Sequence, residues 1–194
     1  KSLGQNFLID ENILQKIING AQIAPEDIVL EIGPGVGTLT TALARQAEKV
    51  VAVEIDRSLK PILEETLEGF NNVEVIYGDI LKLNLEELLK DKLDSKPFKI
   101  VANLPYYITT PIIMRFLEND CPYRSITVMI QQEVAGRMAA GPGSKEYGAL
   151  SVAVQFYTKP RVICKVPASV FLPPPKVDSM VITLEKRSMP AVDV

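Results

Sequence analysis

The 194-residue sequence contains no histidine and only two cysteines. Without histidine, the chain lacks the commonest metal ligand and the usual general base near neutral pH, so its chemistry must require neither. Cys121 and Cys164 stand far apart and form no Cys-x-x-Cys pair, which argues against a disulfide scaffold and against a thiolate metal site. We therefore expect no bound metal and a location in the reducing cytoplasm.

Long apolar runs are also missing. No stretch approaches the ~18 to 20 apolar residues that cross a bilayer, and residues 1–6 lack the basic-then-apolar pattern of a signal peptide. Hydrophobic residues make up 47% and charged residues 23% of the chain, which is typical of globular proteins. The sequence thus predicts a globular domain with a sizeable core and no membrane partner.

The charge is small in total but unevenly distributed. The formal net charge is -3, whereas residues 133–194 carry 8 basic and 5 acidic side chains. This asymmetry favours a face that tolerates phosphates. Scattered lysines on a solvated surface explain it equally well.

Helical and strand-like patterns alternate along the first 138 residues. Asp10 is placed to cap a first helix that continues to Ala21. Strands are predicted at 28–32, 49–54, 73–77, 98–102 and 125–130, with helices at 38–47, 58–68, 83–92 and 112–117 and a last one through 138. This alternation predicts a mainly parallel sheet with helices on both faces.

The C-terminal part departs from this alternation. Residues 150–157 and 177–184 both have strand-like patterns, and a proline-rich loop without a clear helix separates them. They predict an antiparallel end to a sheet of seven strands. Residues 187–194 are typical of the start of a linker, so we place the domain at 1–186.

Ligands of open parallel sheets bind outside the carboxyl ends of the strands. The first strand runs into residues 31–38, Glu-Ile-Gly-Pro-Gly-Val-Gly-Thr, whose alternate glycines let the backbone turn sharply and approach a ligand. Thr38 breaks the dinucleotide fingerprint, and no Gly-Lys-Ser/Thr follows as in a P-loop. Glu31 would repel a pyrophosphate but suits a cation such as a sulfonium amino acid. A tight turn without a ligand is the alternative.

The next two strands end in carboxylates. Glu54 can accept both hydroxyls of an adenosine ribose, and the alternative is a solvent-facing glutamate at a strand end. Asp79 can accept from the amino group of an adenine ring while Ile80 packs on its face, although Gly-Asp is also a common turn. Glycines, Glu and Asp in this order at three strand ends indicate a nucleoside site.

The fourth strand ends in Asn103-Leu104-Pro105-Tyr106. The lone pair of an aromatic amine is delocalised into its ring, and accepting both amine hydrogens helps to localise it on nitrogen. An asparagine carbonyl and a neighbouring backbone carbonyl supply two acceptors, and proline fixes the turn. Tyr106 offers a π-face for an extruded base. Transfer of a methyl group from a sulfonium to an amine held in this way needs mainly alignment and proximity of the two groups. The alternative is a bent joint with a surface tyrosine.

With these residues in view, the sequence resembles the KsgA family of rRNA adenine N6,N6-dimethyltransferases. The resemblance covers essentially the whole chain, and its motifs occur in the family's order at residues 1–8, 31–38, 54–56, 78–80, 103–106, 131–135 and 171–179. It implies a Rossmann-like class I S-adenosylmethionine-dependent methyltransferase fold. It also implies the substrate, two adjacent adenosines in a hairpin near the 3′ end of small-subunit rRNA, dimethylated by a monomer during ribosome assembly.

The resemblance also assigns residues to roles. Tyr106 and Phe171 would flank the target adenine, beside Asn103 and Pro105. A stiff proline loop can hold Phe171 across from Tyr106, although an ordinary proline-rich connection is the simpler interpretation of that loop alone. The residues expected to contact the methyl donor are Asn6, Leu8, Glu31, Gly33, Gly35, Glu54, Ile55, Asp79, Ile80 and Asn103.

Two departures and three rivals accompany the resemblance. Family members continue into a helical C-terminal domain, and residues 187–194 would be the start of the linker that leads to it. Gln132 stands where lysine is common in the family. Erm-like enzymes, which methylate large-subunit rRNA, share the plan, but Leu104 and the Tyr106-Tyr107 pair favour the KsgA side. DNA adenine or protein glutamine methyltransferases usually have two consecutive prolines in the motif. A binding module without turnover is the third rival, against which intact Glu54, Asp79 and Asn103 argue.

Overall fold

A computed structural model describes residues 6–189 and 191, so residues 1–5 of the first family motif (1–8) lie outside this range. Its strands are β1 Phe7–Leu8, β2 Ile28–Ile32, β3 Lys49–Glu54, β4 Val73–Tyr77, β5 Phe98–Asn103, β6 Tyr123–Gln131, β7 Thr158–Val166, β8 Phe171–Leu172 and β9 Ser179–Lys186. Its α-helices are α1 Glu11–Ala21, α2 Thr38–Ala44, α3 Lys60–Thr66, α4 Leu85–Lys92, α5 Thr109–Glu118, α6 Gln132–Ala139 and α7 Ala149–Tyr157.

Seven of the strands form one sheet in the order β4-β3-β2-β5-β6-β9-β7. The first five are parallel, and β9 lies antiparallel between β6 and β7. This confirms the predicted fold class, a mainly parallel seven-stranded sheet with an antiparallel end and helices on both faces. Because β4, β3, β2 and β5 are parallel neighbours, their carboxyl ends meet at one edge.

The two faces of the sheet carry separate apolar cores. On β2, Leu30 packs into the core that includes α4, α5 and α6 residues, whereas its neighbour Val29 faces the core formed with α1 and α2. Both side chains are fully buried. Burying an aliphatic side chain of this size stabilises the fold by roughly 1.5–3 kcal/mol. Both cores together hold the central strands in place and so fix their carboxyl ends.

The first helix starts directly after its predicted capping residue. Asp10 Oδ1 accepts a hydrogen bond from the Ile13 N–H at 3.0 Å at the start of α1. Pro61 lies in the first turn of α3, where a missing N–H is tolerated. The helix predicted at 38–47 is shorter than expected, because α2 ends at Ala44.

The strand predicted at 150–157 is wrong, because these residues belong to the helix α7. Its apolar and β-branched residues favour a strand locally, but tertiary contacts override this preference. Ser151 Oγ accepts from the Gly148 N–H at 3.1 Å and donates to the Arg137 carbonyl, which caps α7 and ties it to α6. The antiparallel partner of β9 is instead β7, which begins at the next residue, Thr158.

The predicted domain boundary at 186 stays a prediction. β9 ends at Lys186, and the Arg187 Nε–H donates to the carbonyls of Gln155 and Thr158 at 3.0 Å each. Of the expected linker, residues 190 and 192–194 lie outside the described range. No helix within residues 6–189 is both long and apolar enough to span a membrane.

Candidate functional site

A cavity opens at the edge where the carboxyl ends of β2, β3, β4 and β5 meet. All predicted site residues except Glu31 contribute to its wall, and these are Asn6, Leu8, Gly33, Gly35, Glu54, Ile55, Asp79, Ile80, Asn103, Pro105, Tyr106 and Phe171. The strands bring together residues up to 165 positions apart in sequence. Whether each of them contacts a ligand stays a prediction.

The glycine-rich turn after β2 has the backbone that its sequence predicts. Gly33, Gly35 and Gly37 have φ angles of +72°, +59° and +90°, a region that other residues rarely adopt. A Cβ placed on Gly33 would come no closer than 3.9 Å to another atom. The backbone at Gly33 therefore leaves open space beside it for a ligand to approach.

Glu54 closes the end of β3 and is only 2% exposed. Its Oε2 accepts from the Gly35 N–H at 3.1 Å, and its Oε1 accepts from the Asp56 N–H at 2.8 Å. The burial excludes the alternative of a solvent-facing glutamate. Each carboxylate oxygen has a second lone pair, so Glu54 can still accept from a ligand in the cavity.

The loop after β4 is held by a residue that sequence reasoning missed. Asp79 Oδ1 accepts from the Leu81 N–H at 3.0 Å, which fixes the carboxylate at the cavity wall. From α5, the Arg115 guanidinium donates to the carbonyls of Leu81 and Leu83. No local pattern signals this contact, because Arg115 is more than 30 residues away in sequence.

The turn after β5 presents an asparagine with a defined orientation. The Asn103 Nδ2–H donates to the Asn6 carbonyl at 3.3 Å, and only the amide nitrogen can donate there. The Leu104 N–H donates to the Met129 carbonyl on β6 at 3.2 Å. The Pro105 carbonyl accepts from the Ile108 N–H and the Thr109 hydroxyl, each at 3.2 Å. These bonds fix the turn and direct Asn103 Oδ1 away from Asn6.

Two very short strands bring the last aromatic residue to the cavity. β1 and β8 pair antiparallel, with Leu8 opposite Phe171, and both side chains are buried. Phe171 and Tyr106 both line the cavity. The role of the proline-rich loop in holding Phe171 across from Tyr106 stays a prediction.

Ser179, at the start of β9, is a second residue that sequence reasoning gave no role. Its hydroxyl lies 2.8 Å from the Tyr106 hydroxyl, and Ser179 is 1% exposed. This hydrogen bond fixes the position of the hydroxyl end of Tyr106 and so limits the movement of its side chain. The contact joins residues 73 positions apart, so the sequence carries no local signal for it.

We expect Ser179→Ala to slow the methyl transfer that the sequence predicts roughly 3- to 10-fold, because a typical hydrogen bond contributes about 0.5–1.5 kcal/mol. Tyr106→Phe should slow it equally, and the double variant should be no slower than either single variant. The measurement is the single-turnover rate, with thermal unfolding as the folding control. Additive losses would show that Ser179 does not act through Tyr106.

Glu31 is the predicted site residue that the structure does not bring to the cavity wall. It is 1% exposed, and neither carboxyl oxygen has a hydrogen-bond partner within the described residues. Burial raises the pKa of Glu31 from 4.5 to about 8, with a smaller upward contribution from the Glu54 carboxylate, and the neighbouring Thr40 hydroxyl opposes part of this rise. The carboxyl is therefore mostly neutral at pH 7. Its expected contact with a cationic ligand stays a prediction, and the absence of Glu31 from the cavity wall gives that prediction no support.

Glu31 should make the stability of the ligand-free chain decrease as pH rises. Below about pH 4.5 the carboxyl is protonated in both states, whereas between 4.5 and about 8 it ionises mainly in the unfolded chain. Glu31→Gln cannot ionise at this position and should not lose this stability. The free energy of unfolding of the variant, relative to that of wild type, should therefore increase by a few kcal/mol between pH 4.5 and about 8. Urea titrations at pH 5 and pH 8 measure it. An equal pH dependence in both chains would contradict the assignment.

The chemistry of the wall discriminates between nucleotide ligands. Among the described residues, the only charged side chains that line the cavity are Glu54 and Asp79, both acidic. Such a wall would repel the pyrophosphate of a dinucleotide and would attract a positively charged sulfonium. Within the described part of the chain, no three His, Cys, Asp or Glu side chains are grouped as metal ligands. The residues present fit an adenosyl donor with a cationic sulfur.

Comparisons with known proteins agree with this chemistry. The family model described as "Ribosomal RNA adenine dimethylase" matches residues 1–194. A curated relative from Alkaliphilus metalliredigens (strain QYMF), named "Ribosomal RNA small subunit methyltransferase A", is 60% identical over 194 residues, which are 100% of this chain and 68% of the relative. The match therefore leaves about a third of that relative without a counterpart here.

Solved structures are similar as well. A dimethyladenosine transferase from Plasmodium falciparum superposes with a TM-score of 0.83 and is 36% identical, over 93% of this chain and 63% of that protein. The 23S rRNA methyltransferase ErmE has the same TM-score of 0.83 and is 32% identical, over 97% of this chain and 73% of that protein. The fold is thus shared with a dimethyladenosine transferase and with a 23S rRNA methyltransferase.

Proposed function

This chain belongs to the ribosomal RNA adenine dimethylase family, and from that premise we propose that it methylates N6 of two adjacent adenosines in the 3′-terminal hairpin of small-subunit (16S) rRNA. S-adenosylmethionine is the methyl donor, and the product is N6,N6-dimethyladenosine. The observation that carries the proposal is the Asn103–Tyr106 turn, which lies in the same cavity as Glu54 and Asp79. This juxtaposition supports a methyl donor and an amine acceptor meeting in one site.

The strand ends divide the binding of the donor among them. When bound, S-adenosylmethionine supplies a methyl group on a positively charged sulfur. Glu54 would accept from the two ribose hydroxyls, and Asp79 would accept from the adenine amino group while the apolar side chains of Ile55 and Ile80 pack against the ring. The complete set of proposed donor contacts within the wall is Asn6, Leu8, Gly33, Gly35, Glu54, Ile55, Asp79, Ile80 and Asn103.

The Asn103 turn would hold the acceptor amine. Its Nδ2 is engaged with Asn6, so Oδ1 is the atom that can accept one amine hydrogen. The Pro105 carbonyl already accepts two hydrogen bonds, which makes the Leu104 carbonyl the better second acceptor. With both hydrogens held, the lone pair of N6 is localised on nitrogen and directed at the methyl group. Tyr106 and Phe171 would hold the ring between them.

The transfer needs no general base from the protein. The Asn103 turn would hold the N6 nitrogen, whose lone pair forms the new bond to the methyl carbon while the carbon–sulfur bond of S-adenosylmethionine breaks and the electron pair of that bond goes to the sulfur. The methylated nitrogen then releases one proton to water, and a second cycle adds the second methyl group. A chain without histidine is adequate for this chemistry, because alignment and proximity supply most of the rate enhancement.

The biological setting forms part of the proposal. We place the chain in the cytoplasm, as a monomer acting on small-subunit rRNA in a pre-ribosomal particle. Residues 1–186 form the catalytic domain, and residues 187–194 begin a linker to a C-terminal helical domain. The 60% identity to a small-subunit enzyme, against 32% to the 23S enzyme, favours the small subunit over the Erm-like alternative.

The test is to map methylated adenines after incubating the chain and a full-length relative with S-adenosylmethionine and unmethylated ribosomal subunits. Small and large subunits are offered separately. Dimethylation of two adjacent adenosines in the 3′-terminal hairpin of the small-subunit rRNA is the expected result. Methylation confined to the large subunit would support the Erm-like alternative instead.

A further inference from the structure

Exposed apolar side chains lie next to the wall of the cavity. Ile9, Tyr107 and Leu172 are 62%, 63% and 63% exposed. Each directly follows a wall residue in sequence, namely Leu8, Tyr106 and Phe171, and Tyr107 belongs to the wall itself. We call these three residues the apolar rim.

The apolar rim is a candidate interaction surface, because large apolar side chains exposed on a surface usually mark an interaction site when they lie together. The core already accounts for the neighbouring residues Leu8 and Phe171, which are buried, whereas Ile9 and Leu172 are mostly exposed. Because each rim residue directly follows a wall residue, a ligand that extends out of the cavity would meet the rim.

The chemistry of the wall favours nucleobases as this ligand. No lysine or arginine among the described residues lines the cavity, and its two carboxylates would repel phosphates. Bases, in contrast, are uncharged and stack well on aromatic and aliphatic side chains. A base extruded from its stack also leaves its neighbour with an uncovered face.

We propose that the apolar rim binds the unstacked base adjacent to the target adenosine, with Tyr107 as the stacking surface. The inference rests on the proposed function, since it takes RNA as the substrate of the cavity. Tyr107 lies on the 3-10 turn 106–108 directly after Tyr106, so the two side chains extend from one short turn. One tyrosine would thus face the target base and the next its neighbour, which suits a substrate with two adjacent adenosines.

The experiment combines protein variants with a modified RNA. A fluorescent RNA hairpin with two adjacent adenosines is compared with one whose base beside the target adenosine is removed. We expect Tyr107→Ala to raise the Kd of the intact RNA about 5- to 150-fold, as for the loss of one stacked base, and Tyr107→Phe to change it little. Removing the base should weaken wild-type binding by the same factor, without a further loss in Tyr107→Ala.

Tyr147→Ala is the matched control, because Tyr147 is an exposed tyrosine outside the cavity wall. A Kd for Tyr107→Ala equal to that of the control, or losses that add when the base is also removed, would overturn the proposal. Methyl incorporation is measured in parallel. If RNA binding depends on Tyr107 but no methylation occurs, the proposed function is contradicted and the role of the rim is supported. If methylation occurs but RNA binding does not depend on Tyr107, the proposed function is supported and the role of the rim is contradicted.

Discussion

Asn103→Ala is expected to reduce methyl transfer at least about 100-fold while the affinity for S-adenosylmethionine changes only a few-fold. The variant removes the Oδ1 acceptor, and losing one preorganised polar group at a reacting centre typically costs 10²–10³ in rate. The donor keeps its contacts with Glu54 and Asp79, so its binding should persist. Single-turnover methylation and calorimetric titration of the donor measure the two quantities.

Asn72→Ala provides a matched control for this variant. Asn72 also donates from its side-chain amide to backbone carbonyls, those of Ala44 and Ala47, but it lies outside the cavity wall. We expect it to lower stability without a comparable loss of rate in the folded protein. A rate for Asn103→Ala within a few-fold of wild type would remove the asparagine from the amine site.

Glu54→Gln should weaken donor binding about tenfold or more, because hydrogen bonds to charged groups contribute roughly 1.5–3 kcal/mol. The amide keeps one carbonyl oxygen but replaces the other with a donor, which cannot accept from a ribose hydroxyl. Glutamine has nearly the same volume as glutamate, so the substitution leaves no void that would by itself weaken donor binding. Calorimetry with S-adenosylhomocysteine measures the affinity without turnover.

The ribose assignment can be separated from a general effect of charge. A donor analogue that lacks the 2′ and 3′ hydroxyls should bind wild type about as weakly as Glu54→Gln binds the intact ligand. The same analogue should lose little more in the variant. Full additivity of the two losses, or normal affinity of Glu54→Gln, would place the ribose elsewhere.

The central strands were predictable because their pattern and their burial agree. The runs at 28–32, 49–54 and 73–77 have the bounds of β2, β3 and β4. Buried parallel strands consist of continuous apolar runs, and flanking glycines and polar residues mark their ends. The wall residues Gly33, Glu54 and Asp79 were predictable for the same reason, since they stand at these ends.

Other features depend on contacts that no local pattern encodes. The run at 150–157 is equally compatible with a strand and a buried helix, and the contact of Ser151 with α6 decides for the helix. The hydrogen bond between Tyr106, which follows β5, and Ser179, which begins β9, joins residues 73 positions apart in sequence. Glu31 has the sequence position of a ligand-binding residue, but its side chain is buried outside the cavity wall.

A crystal structure of the chain with S-adenosylhomocysteine and adenosine tests the central claim most directly. The account predicts that the N6 nitrogen lies about 2.7–3.2 Å from Asn103 Oδ1, with the thioether sulfur on the side of Glu54 and the base between Tyr106 and Phe171. Adenosine bound with its amino group away from Asn103, or a cavity that accepts a nicotinamide dinucleotide and not the thioether, would contradict it.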